Sequence, residues 1–183
     1  MIVIKKSKFL SFLFPLTDLD EVSSYVKEIK EKYKGATHYC YAYLFDSYKK
    51  FEDDKEPSKT AGYPILKYLE SQKIDHVLCI VVRYFGGIKL GASGLIHAYT
   101  EAVKDCLEKN TIVELEKGIL AIIVFSYKDL KSINYLLKEE TIIQKEFQET
   151  ICYTVLFSEE SFKKKKDLLP SYKKIKETWI SKS

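Results

Sequence analysis

The residues able to do chemistry fall into three short stretches of this 183-residue sequence. The first is Val81-Val82-Arg83-Tyr84-Phe85-Gly86-Gly87-Ile88-Lys89-Leu90-Gly91-Ala92-Ser93-Gly94-Leu95. It holds four of the seven glycines and the only arginine; every other one of the 30 Lys+Arg is lysine. An arginine in so lysine-rich a chain suggests a site that needs a planar, bidentate, permanently charged fork. Backbone N–H groups near Gly86-Gly87 and the start of a following helix would point outward and cradle an anion, with Arg83 and Lys89 adding charge. The alternative is a turn that needs positive φ and close backbone packing. It is not a P-loop, because Ala92-Ser93 replaces the Lys-Ser/Thr pair after the GxxxxG spacing of Gly86 to Gly91. No GxGxxG dinucleotide fingerprint occurs either. Tyr84 and Phe85 would stack on bases, or pack in a core.

The second stretch, Ala36 to Phe45, alternates as a strand, with His38, Cys40 and Ala42 on one face and Tyr39, Tyr41 and Tyr43 on the other. Both faces are bulky, which predicts one packed face and one facing a cleft. His38 and Cys40 would form a thiolate–imidazole pair for nucleophilic catalysis, but no third, orienting residue is identifiable. A packed histidine beside a buried cysteine is the plainer reading. The third stretch, Phe51 to Gly62, is a polar loop with Glu52, Asp53, Asp54 and Glu56. Such acids would offer oxygen ligands to Mg²⁺, yet no EF-hand spacing is present, and solvated acids explain them as well. No metal or cofactor is expected.

These stretches need elements to hold them. Val77 to Val82 is a continuous β-branched and apolar run, the mark of a buried strand. Leu95, Ala98/Tyr99, Ala102/Val103 and Cys106/Leu107 then place an amphipathic helix from about Ala92 to Asn110. Before them come a strand region over residues 2–16 and a helix from Thr17 or Asp18 to about Lys34, stopped by Gly35. That helix would lie over a sheet. Asp46 to Lys50 reads as a turn, and a helix from Pro64 to about Gln72 follows. Glu116-Lys117-Gly118 is the candidate domain boundary. Beyond it the order is strand (119–125), helix (129–139), strand (142–147), strand (151–157), helix (159–169) and strand (175–180). This βαββαβ order is ferredoxin-like, a superfold that says little about function. Lys163 to Lys166 is a basic run, read as a solvated face or as a phosphate-contacting one.

Composition sets bounds. With 46% hydrophobic residues the chain can bury ordinary cores. Residues 1–110 carry 17 Lys/Arg against 15 Asp/Glu, and residues 111–183 carry 13 against 11. Neither half is strongly basic, so the balance does not mark a free duplex binder. Cys40, Cys79, Cys106 and Cys152 are far apart with no zinc-ligand spacing. No disulfides, no signal peptide and no membrane span are expected; a reduced, cytoplasmic protein is the simplest reading.

Three ordered blocks resemble the YigZ/IMPACT family over about Ser7 to Asn110. They are Ala36-Thr37-His38-x-Cys40-x-Ala42, then Asp53-Asp54-x-Glu56-Pro57-Ser58-x-Thr60-Ala61-Gly62-x-Pro64-Ile65-Leu66, then Val82 to Leu95 with Ala98-Tyr99. Lys55, Lys59 and Ser93 stand where the family usually has glycine, and His97 where a basic residue, commonly Arg, is usual. The resemblance implies an α+β chain. Its first domain, 1–115, would have the ribosomal-protein-like two-layer α/β fold, and its second, 118–183, would be ferredoxin-like and similar to the last such domain of elongation factor G. Eukaryotic relatives regulate translation by binding the activator of an initiation-factor kinase, a pathway that bacteria lack. Bacterial relatives have been suggested to bind nucleic acid or the ribosome. The leading expectation is a non-catalytic RNA- or ribosome-associated protein that modulates translation. Its binding cleft would contain His38, Asp54, Glu56, Thr60, Arg83, Tyr84, Gly86, Gly87 and Lys89, with Arg83 and Lys89 on phosphate. One alternative is a hydrolase-like enzyme acting on a small phosphorylated or peptide ligand through His38, Cys40 and Glu56. The other is a protein-interaction module regulating a translation factor.

Overall fold

The computed structural model describes residues 1–182. The chain divides into two compact units, Met1–Ile112 and a second from Val113 onward; Glu116-Lys117-Gly118 lies inside the first strand of the second unit.

In unit 1, five strands, β1 (Ile2–Ile4), β2 (Ser7–Pro15), β3 (His38–Phe45), β4 (Tyr48–Glu52) and β5 (Val77–Tyr84), form an antiparallel sheet in the order β1-β2-β5-β3-β4. β5 is central, and its side chains feed two cores in alternation. Val77, Cys79 and Val81 join Phe9, Cys40 and Ala42 beneath α2 (Gly62–Ser71) and α3 (Gly91–Glu108). Leu78, Ile80 and Val82 join Leu16 and Ile29 beneath α1 (Glu21–Lys32). A strand covered on both faces has no polar face to show, hence its unbroken apolar run. Each fully buried aliphatic side chain there contributes about 1.5–3 kcal/mol. The α+β class is as expected, and α1 adds a helical layer on the second face of the sheet.

Two local expectations are corrected. Tyr48–Glu52 is a strand, β4, rather than part of a turn, pairing Tyr41↔Glu52 to Phe45↔Tyr48. It is a short edge strand, and its Tyr-Lys-Lys-Phe-Glu sequence is mostly exposed, so it carries no apolar periodicity to read. α1 begins at Glu21 rather than at Thr17 or Asp18, because the Glu21 carboxylate reaches back to accept from the backbone N–H groups of Thr17 (2.8 Å) and Asp18 (3.2 Å). That holds the preceding residues as a turn.

Unit 2 runs β6 (Leu115–Phe125), α4 (Leu130–Leu136), β7 (Thr141–Phe147), β8 (Ile151–Ser158), α5 (Glu159–Lys165) and β9 (Tyr172–Ser181). Its antiparallel sheet has the order β7-β8-β6-β9, the ferredoxin-like βαββαβ arrangement. Ile119, Ala121, Ile123, Tyr153, Val155 and Phe157 pack with Ile133 of α4, Leu137 just after it and Phe162 of α5. The basic run is largely paired: Lys163 with Glu159, Lys164 with Glu160, and Lys165 with Glu140.

Candidate functional site

β-Sheet register aligns the first components of the site. On adjacent strands, Phe9 of β2, Arg83 of β5 and His38 of β3 are direct partners, so all three share the face that α2 and α3 cover. The β4–α2 loop adds Glu56, and α3 adds Tyr99. Arg83 Nη1 lies 2.5 Å from Glu56 Oε1, and both side chains are buried. Tyr99 OH donates to the same oxygen at 2.8 Å, and His38 Nε2 sits 3.8 Å from it. The guanidinium lies between the rings of Phe9 (5.5 Å) and Phe85 (5.6 Å). Its Nη2 donates to Ser7 Oγ at 3.4 Å, while its buried Nε has no hydrogen-bond partner.

The acidic loop serves as structure. Asp53 accepts from the backbone N–H groups of Ala61 (3.1 Å), Gly62 (2.8 Å) and Lys59 (2.7 Å), closing the loop and capping α2. Asp54 Oδ2 accepts from Tyr39 N at 2.7 Å, and its backbone oxygen meets His38 Nδ1 at 2.8 Å. A carbonyl only accepts, so Nδ1 carries the hydrogen and Nε2 faces Glu56. Thr60 Oγ1 donates to Pro57 O at 2.6 Å. Lys55 and Lys59 adopt φ of +69° and +62°, the left-handed conformation that glycine takes without strain.

The glycine loop also turns its polar groups inward. Gly86 N–H donates to Ser7 Oγ at 3.2 Å, and Phe85 N–H to Thr37 Oγ1 at 3.0 Å. A Cβ on Gly86 would fall 2.0 Å from the Lys6 carbonyl carbon, so this residue is glycine because two backbones touch. Gly87, at φ +84°, has open space around it.

The expected cleft thus splits. His38, Asp54, Glu56, Thr60 and Arg83, with Cys40, cluster on one face of the sheet. Tyr84 points to the other face, where its OH donates to Tyr33 O at 3.2 Å. Lys89 is exposed on the loop. Arg83, expected to meet external phosphate, is 4% exposed and meets an internal carboxylate instead. Tyr99 was missed by the sequence reading. Its place on the apolar stripe of α3 marked it as core, and nothing local signals that its hydroxyl reaches a buried carboxylate.

The chemistry available follows from these partners. Cys40 Sγ lies 3.1 Å from Asp53 O and 3.3 Å from Tyr99 OH, so it is committed to those groups rather than to His38. Burial pushes its thiol well up, and the nearby carboxylates of Glu56, Asp54 and Asp53 push the same way. Burial, then Cys40 and Glu56, likewise holds the Tyr99 phenol protonated. Both groups are thus held neutral at neutral pH.

Comparison with known proteins decides the kinship. Residues 5–107 match the Impact N-terminal domain. The chain belongs to the IMPACT family. It is 39% identical over 150 residues to the IMPACT family member YvyE of Bacillus subtilis (strain 168), a match covering 79% of this chain and 68% of that protein. It is 35% identical over 113 residues to the IMPACT family member YigZ of Escherichia coli (strain K12), covering 59% and 55%. Protein IMPACT of Rattus norvegicus is 30% identical over 112 residues, 58% of this chain but 35% of the rat protein. A crystal structure of a hypothetical protein superposes with a TM-score of 0.59 at 29% identity, over 94% of this chain and 89% of its own. The Arg83–Glu56 cluster of this family member lies within the matched residues 5–107. Its four cysteines are free, and among the described residues no helix is long and apolar enough to cross a membrane.

Proposed function

We propose that this IMPACT family member is a non-catalytic protein that associates with RNA or the ribosome and modulates translation. One observation carries the non-catalytic part of this reading: Glu56, Arg83, Tyr99 and Cys40 engage one another. Glu56 is occupied by Arg83 and Tyr99, and Cys40 and Tyr99 are held protonated by burial. Neither the thiol nor the phenol of the cluster is therefore an anionic nucleophile at neutral pH. In this reading Arg83 is a positioning residue. It ties the β4–α2 loop to β5 and so fixes the shape of the exposed loop that carries Phe85, Ile88 and Lys89. Family membership supports the translation half.

The test is sedimentation of a native-host lysate through a sucrose gradient, with and without RNase. Co-migration with ribosomal particles that RNase or high salt removes is the expected result. A protein that stays at the top of the gradient in low salt overturns the reading. Phe85 and Ile88 leave 46% and 42% of their surface exposed, which favours protein contact as a second reading. Sedimentation with a partner that survives nuclease would select it.

A further inference from the structure

The second face of the unit 1 sheet is only half covered. α1 lies over β2 and β5, where Phe14 stacks on Tyr25 (4.5 Å) and Phe12 meets Tyr33 (4.8 Å). Between α1 and the β3–β4 side runs a groove of about 700 Å³. Tyr41 and Tyr43 line it from β3, Lys50 from β4, and Lys27, Lys30 and Lys34 from α1 and the turn after it. Lys27 and Lys30, three residues apart, stand on one face of α1, and Lys34 follows in the turn after it. Among the described residues none of these four lysines forms an ion pair, whereas Lys163, Lys164 and Lys165 of unit 2 are each matched to an acid. Lys30 Nζ lies 5.7 Å from the centre of the Tyr39 ring. Asp20 and Glu31 also line the groove, leaving it a net positive lining on an aromatic wall.

Resting on the translation reading above, we infer that this groove, rather than the Arg83 cluster, is the RNA-contacting surface, and that it takes a short single-stranded segment. The charge pattern suits phosphate. Lysines not committed to carboxylates can exchange counterions for a phosphate backbone without breaking an internal pair. The tyrosines add ring faces and edges beside them, the combination that holds single strands with little regard to sequence. A groove with one helical wall fits one strand; a duplex would need a broader basic face than this near-neutral unit offers.

Fluorescence anisotropy of a labelled oligouridine titrated with the full chain tests this. Four lysine contacts predict a log–log salt slope of roughly −3 for a single strand. Lys27→Ala/Lys30→Ala/Lys34→Ala should weaken binding about tenfold or more at low salt and flatten the slope by about 2. Tyr43→Leu, which keeps the apolar contact, should weaken binding about fivefold or more with the slope unchanged. Lys163→Ala/Lys164→Ala/Lys166→Ala removes the same charge from unit 2 and should leave binding within about twofold. Circular dichroism confirms that each variant is folded.

If the wild type co-sediments with ribosomes but the lysine and tyrosine variants bind oligouridine as it does, the groove assignment is overturned and the translation reading stands. If the unit 2 variant instead loses binding, the groove is likewise overturned. If the wild type neither binds oligouridine nor co-sediments, both fall.

Discussion

Glu56 and Arg83 stand 27 positions apart in sequence, yet their side chains meet at 2.5 Å where both are buried. The loop that carries Glu56 and the strand that carries Arg83 are thereby joined by charge inside the molecule. Taking either partner away leaves the other without its opposite charge in a largely buried site.

Arg83→Met and Glu56→Gln should therefore each destabilise unit 1 by about 3–5 kcal/mol, the usual consequence of orphaning one partner of a buried pair. The double variant should lose less than the sum of the two, with a coupling of about 0.5–3 kcal/mol. Urea unfolding of all four proteins measures this. Strictly additive losses would show that the pair does not act as a unit.

Stability should fall at alkaline pH. Burial raises the Cys40, Cys79 and Tyr99 pKa values in the folded protein. The unfolded chain sheds these protons near ordinary thiol and phenol values while the folded chain keeps them. With fewer protons bound when unfolded, stability is intact below about pH 8.5 and decreases above it by about 1.4 kcal/mol per pH unit for each of the two thiols, the Tyr99 phenol adding to the loss only above about pH 10. Cys79→Ala should make that decline shallower. Thermal melts from neutral pH to pH 10 provide the comparison, and identical slopes in the two proteins would contradict the assignment to Cys79.

The two glycines of the Gly86-Gly87 pair should respond differently to alanine. At Gly86 the new methyl meets the Lys6 backbone at 2.0–2.2 Å, so β1 and β2 must shift, at about 1–3 kcal/mol or more. At Gly87 there is space, and only the φ of +84° opposes the change, at about 1–2 kcal/mol. Parallel denaturation curves rank them; equal losses would mean that the loop moves as a whole.

Lys55→Gly should stabilise unit 1. Lys55 holds a φ of +69°, a conformation that costs a non-glycine residue about 1–2 kcal/mol. Against this stands the greater entropy that glycine loses on folding, about 0.5–1 kcal/mol. The expected gain is about 0.5–1 kcal/mol, read as a higher urea midpoint with an unchanged m-value. A lower midpoint would show that the lysine side chain makes a favourable contact of its own.

Much of this protein was legible in its residues. The unbroken Val77–Val82 run placed a buried strand, alternation in His38–Phe45 sorted its side chains onto the two faces of the sheet, and the βαββαβ order of the second unit was written in its periodicities. Three blocks of motif placed the chain in its family. All of these are local patterns, and a repeat of two or of 3.6 is enough to reveal them. β4 escaped because an exposed edge strand of Tyr, Lys and Glu has no apolar face to repeat.

What tertiary structure alone decided is who meets whom. A lone arginine before two glycines looks the same whether its partner is an external phosphate or a carboxylate folded back from an earlier loop. Only the β2–β5–β3 register and the course of the β4–α2 loop set Glu56 against it. The lysines of α1 and the tyrosines of β3 likewise look like separate solvated and packed faces until α1 settles over half the sheet. Sequence determines which face of an element is apolar. Contacts between elements depend on how those faces stack, which no single stretch contains.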